Sequence, residues 1–206
     1  NPGQRALVDH FTGSGALLAV GVGPAGTGKT TAMSAATKAW EATGHNVIAL
    51  APSAVAAENL GEEIGVQGLT VAYLTYPYRG KMADKGIPAG TILDSAPIRP
   101  GTVLLVDEAS MMCTADWDAL VAIAHERGAI IRALGDPAQL DAVESGGLLR
   151  SLADHTHAPE LDEVVRFGDD HVQAKNSIAL RSGDLAAIDL YARRGWVHDG
   201  TLAELK

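Results

Sequence analysis

Gly23-Pro24-Ala25-Gly26-Thr27-Gly28-Lys29-Thr30 stands between a continuous apolar run, Ala16 to Val22, and an Ala-rich periodic stretch, Lys29 to Thr43. The octet fits G-x-x-x-x-G-K-[S/T], and its flanks read as a strand buried on both faces followed by a helix. In a chain of this composition chance supplies roughly 0.01 such matches, so the spacing carries information. Glycines let the backbone curl until successive N–H groups point at one anion, and the following helix adds the positive end of its dipole. A phosphate-binding loop is therefore expected, with Gly23, Ala25, Gly26, Thr27 and Gly28 as the backbone cradle. Lys29 would reach the β- and γ-phosphates, Thr30 would offer a hydroxyl to magnesium, and Thr31 stands beside the α-phosphate.

The same apolar-run signature returns at Asn46 to Ala51, Thr102 to Val106 and Ala129 to Leu134. Helical patterns separate the runs: Lys29 to Thr43, Ser53 to Ile64, Thr70 to Tyr78 and Thr114 to Arg127. Such alternation predicts right-handed βαβ units, hence an α/β fold with a parallel sheet and helices on both faces. Upstream, Asn1-Pro2 with Gln4, Leu7, Val8 and Phe11 predicts a capped helix closed by Gly13 and Gly15. Residues 79–101 break the rhythm, because Pro88, Pro97, Pro100 and interspersed glycines oppose a regular helix. After Leu134 the chain reads as helical, through Asp169 to Arg181 and Asp184 to Arg194. The expected organisation is a nucleotide-binding domain over 1–168, with an excursion at 79–101, and a helical continuation over 169–206.

The 206 residues carry a formal charge of −9, with 47% hydrophobic and 20% charged residues. That is an ordinary globular composition, which excludes a disordered or collagen-like chain. The single cysteine, Cys113, cannot close an internal disulfide, which fits a cytoplasmic location. Ala16 to Val22 is too short to span a bilayer and no basic segment precedes it, so no membrane partner is expected. The chain opens at Asn1 and stops at Leu205-Lys206 without an evident cap, which suggests part of a larger multidomain chain. The acidic balance opposes a broad electrostatic footprint on nucleic acid.

A second chemical signal is Val103-Leu104-Leu105-Val106-Asp107-Glu108, a buried strand ending in two carboxylates. At the carboxyl end of its strand, Asp107 can hold magnesium opposite Thr30. A carboxylate directly after it, Glu108, can polarise a water for attack on a γ-phosphate, which suits a hydrolase; small-molecule kinases exclude that water. The bland alternative is a pair of carboxylates ending a strand in solvent.

The next strand ends in Gly135-Asp136-Pro137-Ala138-Gln139-Leu140. With GPAGTGKT, LLVDEASM and GDPAQL in this order, the chain resembles the first RecA-like motor domain of a superfamily 1 DNA helicase. APSAVAAENL (Ala51 to Leu60) and DEASM are similar to the RecD-like, 5′-to-3′ branch, above all to the helicase part of conjugative relaxases of the TraI/TrwC type. The resemblance runs from Gln4 to about Tyr191. It implies a P-loop, three-layer fold, ATP and magnesium as cofactors, and single-stranded DNA as partner. Residue by residue, it implies Gln4 against the adenine, Gln139 as γ-phosphate sensor, Asp136 orienting that loop, and Pro52 and Ser53 on DNA phosphates. Leu161-Asp162-Glu163-Val164-Val165-Arg166-Phe167 resembles the motif whose arginine reaches the γ-phosphate. Val55 departs from the family's usual small or basic residue. Residues 79–101 lie where related helicases carry a small duplex-splitting subdomain. The resemblance also implies a second motor domain, so these residues alone are expected to hydrolyse ATP slowly.

Several residues have plainer readings. Gln4 can be an exposed helix-start glutamine, and Arg166 a surface arginine paired with Asp162 or Glu163. His155-x-His157 lacks further metal ligands nearby in sequence and reads as a solvated loop. Cys113 reads as a small buried apolar side chain. Tyr73, Tyr76 and Tyr78 suit either base stacking or packing. Two other functions share the phosphate loop, a small-molecule kinase and a nucleotide-gated binding module without hydrolysis. Glu108 and Gln139 oppose the first, and the intact Lys29, Thr30, Asp107 and Glu108 set opposes the second.

Overall fold

Four consecutive side chains, Val103 to Val106, are fully buried, which a pleated strand achieves only where both faces of its sheet are covered. The computed structural model, which describes residues 1–79, 98–139, 147–197 and 200, shows the covering layers. Strands β1 (Leu18–Val22), β2 (Val47–Ala51), β3 (Gln67–Thr70), β4 (Val103–Val106) and β5 (Ile130–Gly135) form a five-stranded sheet. Every pairing is parallel, in the order β1-β5-β4-β2-β3. Around it stand α1 (Pro2–Gly13), α2 (Lys29–Ala42), α3 (Ala54–Ile64), α4 (Val71–Thr75), α5 (Thr114–Arg127) and α6 (Leu148–Thr156). Two further helices, α7 (His171–Arg181) and α8 (Ile188–Arg193), follow.

Alternating strand residues sort the core into two halves. Val47, Ala49, Val103 and Leu105 pack against Leu7 and Phe11 of α1, Met33 and Trp40 of α2, and Leu60 of α3. Their neighbours Ile48, Leu50, Leu104 and Val106 meet Leu74 of α4, Trp117 and Leu120 of α5, and Leu149 of α6. The three-layer α/β expectation holds.

Helix α1 begins in a capping box: the Asn1 side chain accepts from the Gln4 backbone N–H at 3.0 Å, with proline in the first turn. Its other end is held by an arginine inside the run read as apolar. Arg132 of β5 is fully buried and donates to the carbonyl oxygens of Phe11, Ser14, Ala16 and Ile131 at 2.7, 2.6, 3.1 and 2.8 Å. Burial pushes its guanidinium down to about 10, still far enough above neutrality to keep the charge. A cation there also suits the negative end of the α1 dipole.

Sequence patterning did not reveal β3. It is a short edge strand without an apolar run, and Gly68 lies at its centre because α3 passes over it: a Cβ there would stand 2.0 Å from the Ala57 carbonyl oxygen. Helix α6 was not resolved as a separate element either, and it corrects the loop reading of His155-x-His157. His155 lies in its last turn, with Nδ1 2.7 Å from the Ser151 carbonyl oxygen, and His157 caps it with φ 48°. The stretch expected to be helical over Thr70 to Tyr78 stops at Thr75, and the one over Asp184 to Arg194 divides into a 3-10 turn, Leu185–Ala187, and α8. Pro88, Pro97 and most of the 79–101 excursion lie outside the described residues, as does Leu140. Among the described residues no helix is long and apolar enough to cross a membrane.

Candidate nucleotide site

Because all strands run parallel, the segments following β1, β5 and β4 emerge side by side at one edge of the sheet, where α/β folds bind ligands. Those segments are the Gly23–Thr30 loop, Asp136 to Gln139, and Asp107-Glu108. They open on a cavity of about 460 Å³ lined by Lys29, Thr30 and Thr31 from the loop and α2, by Asp107 and Glu108, and by Gln139 and Arg166. Ala25, Gly26, Gly28 and Val165 complete its lining. A larger hollow, about 620 Å³, lies beside Gly61 and Gly68, but Glu58 and Glu62 line it and no Lys, Arg or His does, so its charge disfavours an anion.

The loop takes its shape from two left-handed residues, Gly26 at φ 82° and Gly28 at φ 79°. Gly28 caps α2 without a side chain, leaving the first-turn N–H groups of Lys29, Thr30 and Thr31 without helical acceptors. Thr27 is buried and its hydroxyl donates to the Pro24 carbonyl oxygen at 2.8 Å, so its side chain braces the loop. The Gly23 N–H donates to Gly135 at 2.9 Å. Lys29 folds back over Gly23, where a Cβ would stand 2.8 Å from its Cγ and Cδ. Gln4 is no free surface glutamine: its Nε2 donates to the Thr27 and Gly28 carbonyl oxygens at 3.3 and 3.2 Å.

At the end of β4 the Asp107 side chain accepts from the Glu108 N–H at 2.8 Å. Glu108 sits at φ 53°, a left-handed conformation costly for a side-chain-bearing residue, and a 3-10 turn, Ala109–Met111, follows it. Burial pushes the Asp107 carboxyl up, and the positive charge of Lys29 opposes that shift. A desolvated carboxylate and the Thr30 hydroxyl on one cavity are hard oxygen donors of the kind magnesium takes.

Asp136 is 3% exposed. Its Oδ1 accepts from the Ala138 N–H and its carbonyl from the Gln139 N–H, both at 3.0 Å. The segment after α6 then straps the loop from outside. Val22 N–H donates to Pro159, and Leu161 N–H to Val22, at 2.9 and 2.8 Å; the Val165 and Arg166 N–H groups both donate to the Gly26 carbonyl, at 2.8 and 3.0 Å. Arg166 is thereby delivered to the cavity, while Glu163 accepts from the Asn1 amide at 2.8 Å.

Other candidates fall elsewhere. Pro52 and Ser53 follow β2 and do not line the cavity; the Ser53 hydroxyl oxygen caps α3, accepting from Ala56 N–H at 3.1 Å. Tyr78 donates to Glu126 at 2.6 Å and its hydroxyl is pushed up to about 12, chiefly by burial, whereas Tyr73 and Tyr76 are exposed. The apolar reading of Cys113 needs correction: its Sγ donates to Asp116 at 3.1 Å and accepts from Arg79 at 3.4 Å. Among the described residues no group of three metal-ligating side chains occurs. Sequence reasoning missed Val165, which lines the cavity beside Arg166 in the same motif, and Arg181, which pairs with Asp136 and lies in no motif.

Residues 1–202 match the family described as the AAA domain. The chain belongs to that family. The AAA domain is 35% identical over 182 residues to the conjugal transfer protein TraA of Rhizobium radiobacter, covering 88% of this chain and 15% of that protein. Against the ATP-dependent RecD2 DNA helicase of Deinococcus radiodurans it is 34% identical over 164 residues, 79% of this chain and 21% of that one. The solved Pif1 helicase of Candida albicans superposes with a TM-score of 0.63 at 21% identity, over 88% of this chain and 44% of that one, which shows a shared fold. This is a helicase-like AAA domain with the RecA-like P-loop architecture, and it spans only 15% to 21% of the length of these two curated relatives.

Proposed function

We propose that the AAA domain binds magnesium-ATP and hydrolyses it as the first motor domain of a single-stranded DNA helicase within a conjugative relaxase. The observation that carries this reading is the convergence of Lys29, Thr30, Asp107, Glu108, Gln139 and Arg166 on one cavity. The first-turn N–H groups and Lys29 bind the phosphates, and Gln4 reads the adenine by exchanging its bonds to the Thr27 and Gly28 carbonyl oxygens for bonds to the base. Magnesium, held by Thr30 and Asp107, would offset charge on the β- and γ-phosphates. Glu108 takes a proton from the water whose oxygen bonds to the γ-phosphorus as the bond to the β-phosphate oxygen breaks. Gln139 senses the γ-phosphate, and Arg166 supports the charge developing on it. Pro52 and Ser53 contact DNA phosphates.

Residues 1–168 form the motor unit in this reading and 169–206 its continuation, in a larger cytoplasmic multidomain protein. The 206 residues alone would hydrolyse ATP slowly, for want of groups that a second motor domain contributes. Calorimetry with magnesium-ATP tests the core of the reading. Lys29→Ala should lower affinity at least roughly tenfold, the loss of one charge-assisted phosphate contact. Equal affinity in the two proteins would overturn it.

A further inference from the structure

Arg181, at the last turn of α7, reaches across to the segment that follows β5. Its Nε donates to both carboxylate oxygens of Asp136, at 2.9 and 3.1 Å, and its Nη2 donates to Oδ1 at 2.7 Å. The Nη1 group reaches Glu160 at 3.4 Å, and Glu160 bridges to Val22 at the end of β1. Asp136 is the buried partner, 3% exposed, so its ionised carboxylate depends on this fork for compensation. Asp136 also shapes the turn that carries Gln139, through the Ala138 and Gln139 N–H groups. The guanidinium therefore holds the residue that holds Gln139.

We propose that Arg181 is a positioning residue for Gln139, setting the sensor turn through Asp136 and linking it mechanically to α7. The proposal rests on the reading of Gln139 as γ-phosphate sensor. Helix α7 has no buried residue of its own, so this ion pair is a principal tie between the helix and the sheet edge. A movement of α7 is transmitted to the turn as a movement of Asp136. Hydrolysis, and its stimulation by DNA, should respond to Arg181, while nucleotide affinity, set by the loop and Lys29, should not. Pure support of the fold would lower stability and leave the rate per folded molecule unchanged.

The experiment is a double-mutant cycle in the full-length protein, with ATP affinity, kcat and DNA-stimulated kcat measured for wild type, Arg181→Met, Gln139→Ala and the pair. Arg181→Met should lower kcat roughly 2- to 30-fold, the range for residues that act through a neighbour, with ATP affinity unchanged. In the Gln139→Ala background the same change should lower kcat no further. Should Arg181→Met fail to fold, Arg181→Lys, which keeps the charge and loses the fork, is read by the same two criteria. Wild-type kcat in the arginine variant, or a loss that multiplies with that of Gln139→Ala, overturns the proposal. If Gln139→Ala itself leaves kcat unchanged, the sensor reading fails instead, and the two failures are distinguishable.

Discussion

Arg132 Nε donates to the Phe11 carbonyl oxygen at 2.7 Å, tying the middle of β5 to the last turn of the helix that carries Gln4. The guanidinium is compensated by carbonyl oxygens alone among the described residues. Arg132→Met fills the space and strands those acceptors. Urea titration should show a loss of about 3 kcal/mol, the cost of leaving buried polar groups unpaired. Unchanged stability would mean that solvent already serves these carbonyls.

Gly28 needs both its left-handed conformation and its missing side chain. At φ 79° a Cβ would stand 2.1 Å from Gln4 Nε2. Gly28→Ala should lower ATP affinity about tenfold, from backbone strain of 1–3 kcal/mol and a displaced Gln4. Gly44→Ala is the control: φ is 82° with nothing within 4 Å, so it shares the strain and should leave binding intact.

Glu108→Gln keeps the shape of the side chain and removes its basicity. Turnover should fall by about 10² or more while ATP affinity stays near the wild-type value. Rapid-quench and equilibrium binding separate the two. Retained turnover would place the base elsewhere.

His10 gives a pH dependence of defined sign. Burial, then the charge of Arg132, hold its imidazole below the ordinary 6.5. The unfolded chain takes up this proton first as the pH falls, so folded-state stability drops below about pH 6.5 and levels off under the folded value. Thermal melts between pH 7 and 5 should show a shallower decline for His10→Gln than for wild type. Parallel declines would show that His10 titrates alike in both states.

What the sequence determined by itself is the local chemistry. The octet Gly23 to Thr30, the run ending in Asp107-Glu108 and the capped start at Asn1-Pro2 each sit in a spacing that few backbone conformations satisfy, so strand, loop and helix boundaries followed within a residue or two. Strand β3 and helix α6 escaped because the first is an edge strand with a glycine where a helix crosses, and the second lies between glycine and histidine with no distinct start signal. Tertiary structure alone decided the strand order. Apolar runs carry no information about their neighbours, yet it is the placing of β5 between β1 and β4 that puts Gln139 on the same cavity as Lys29 and Glu108. The long-range polar ties were equally invisible. Arg132 reaches the end of α1, Arg181 reaches Asp136, and Gln4 reaches the Gly28 carbonyl, because a side chain's partner depends on which elements pack together and not on what stands beside it in the chain.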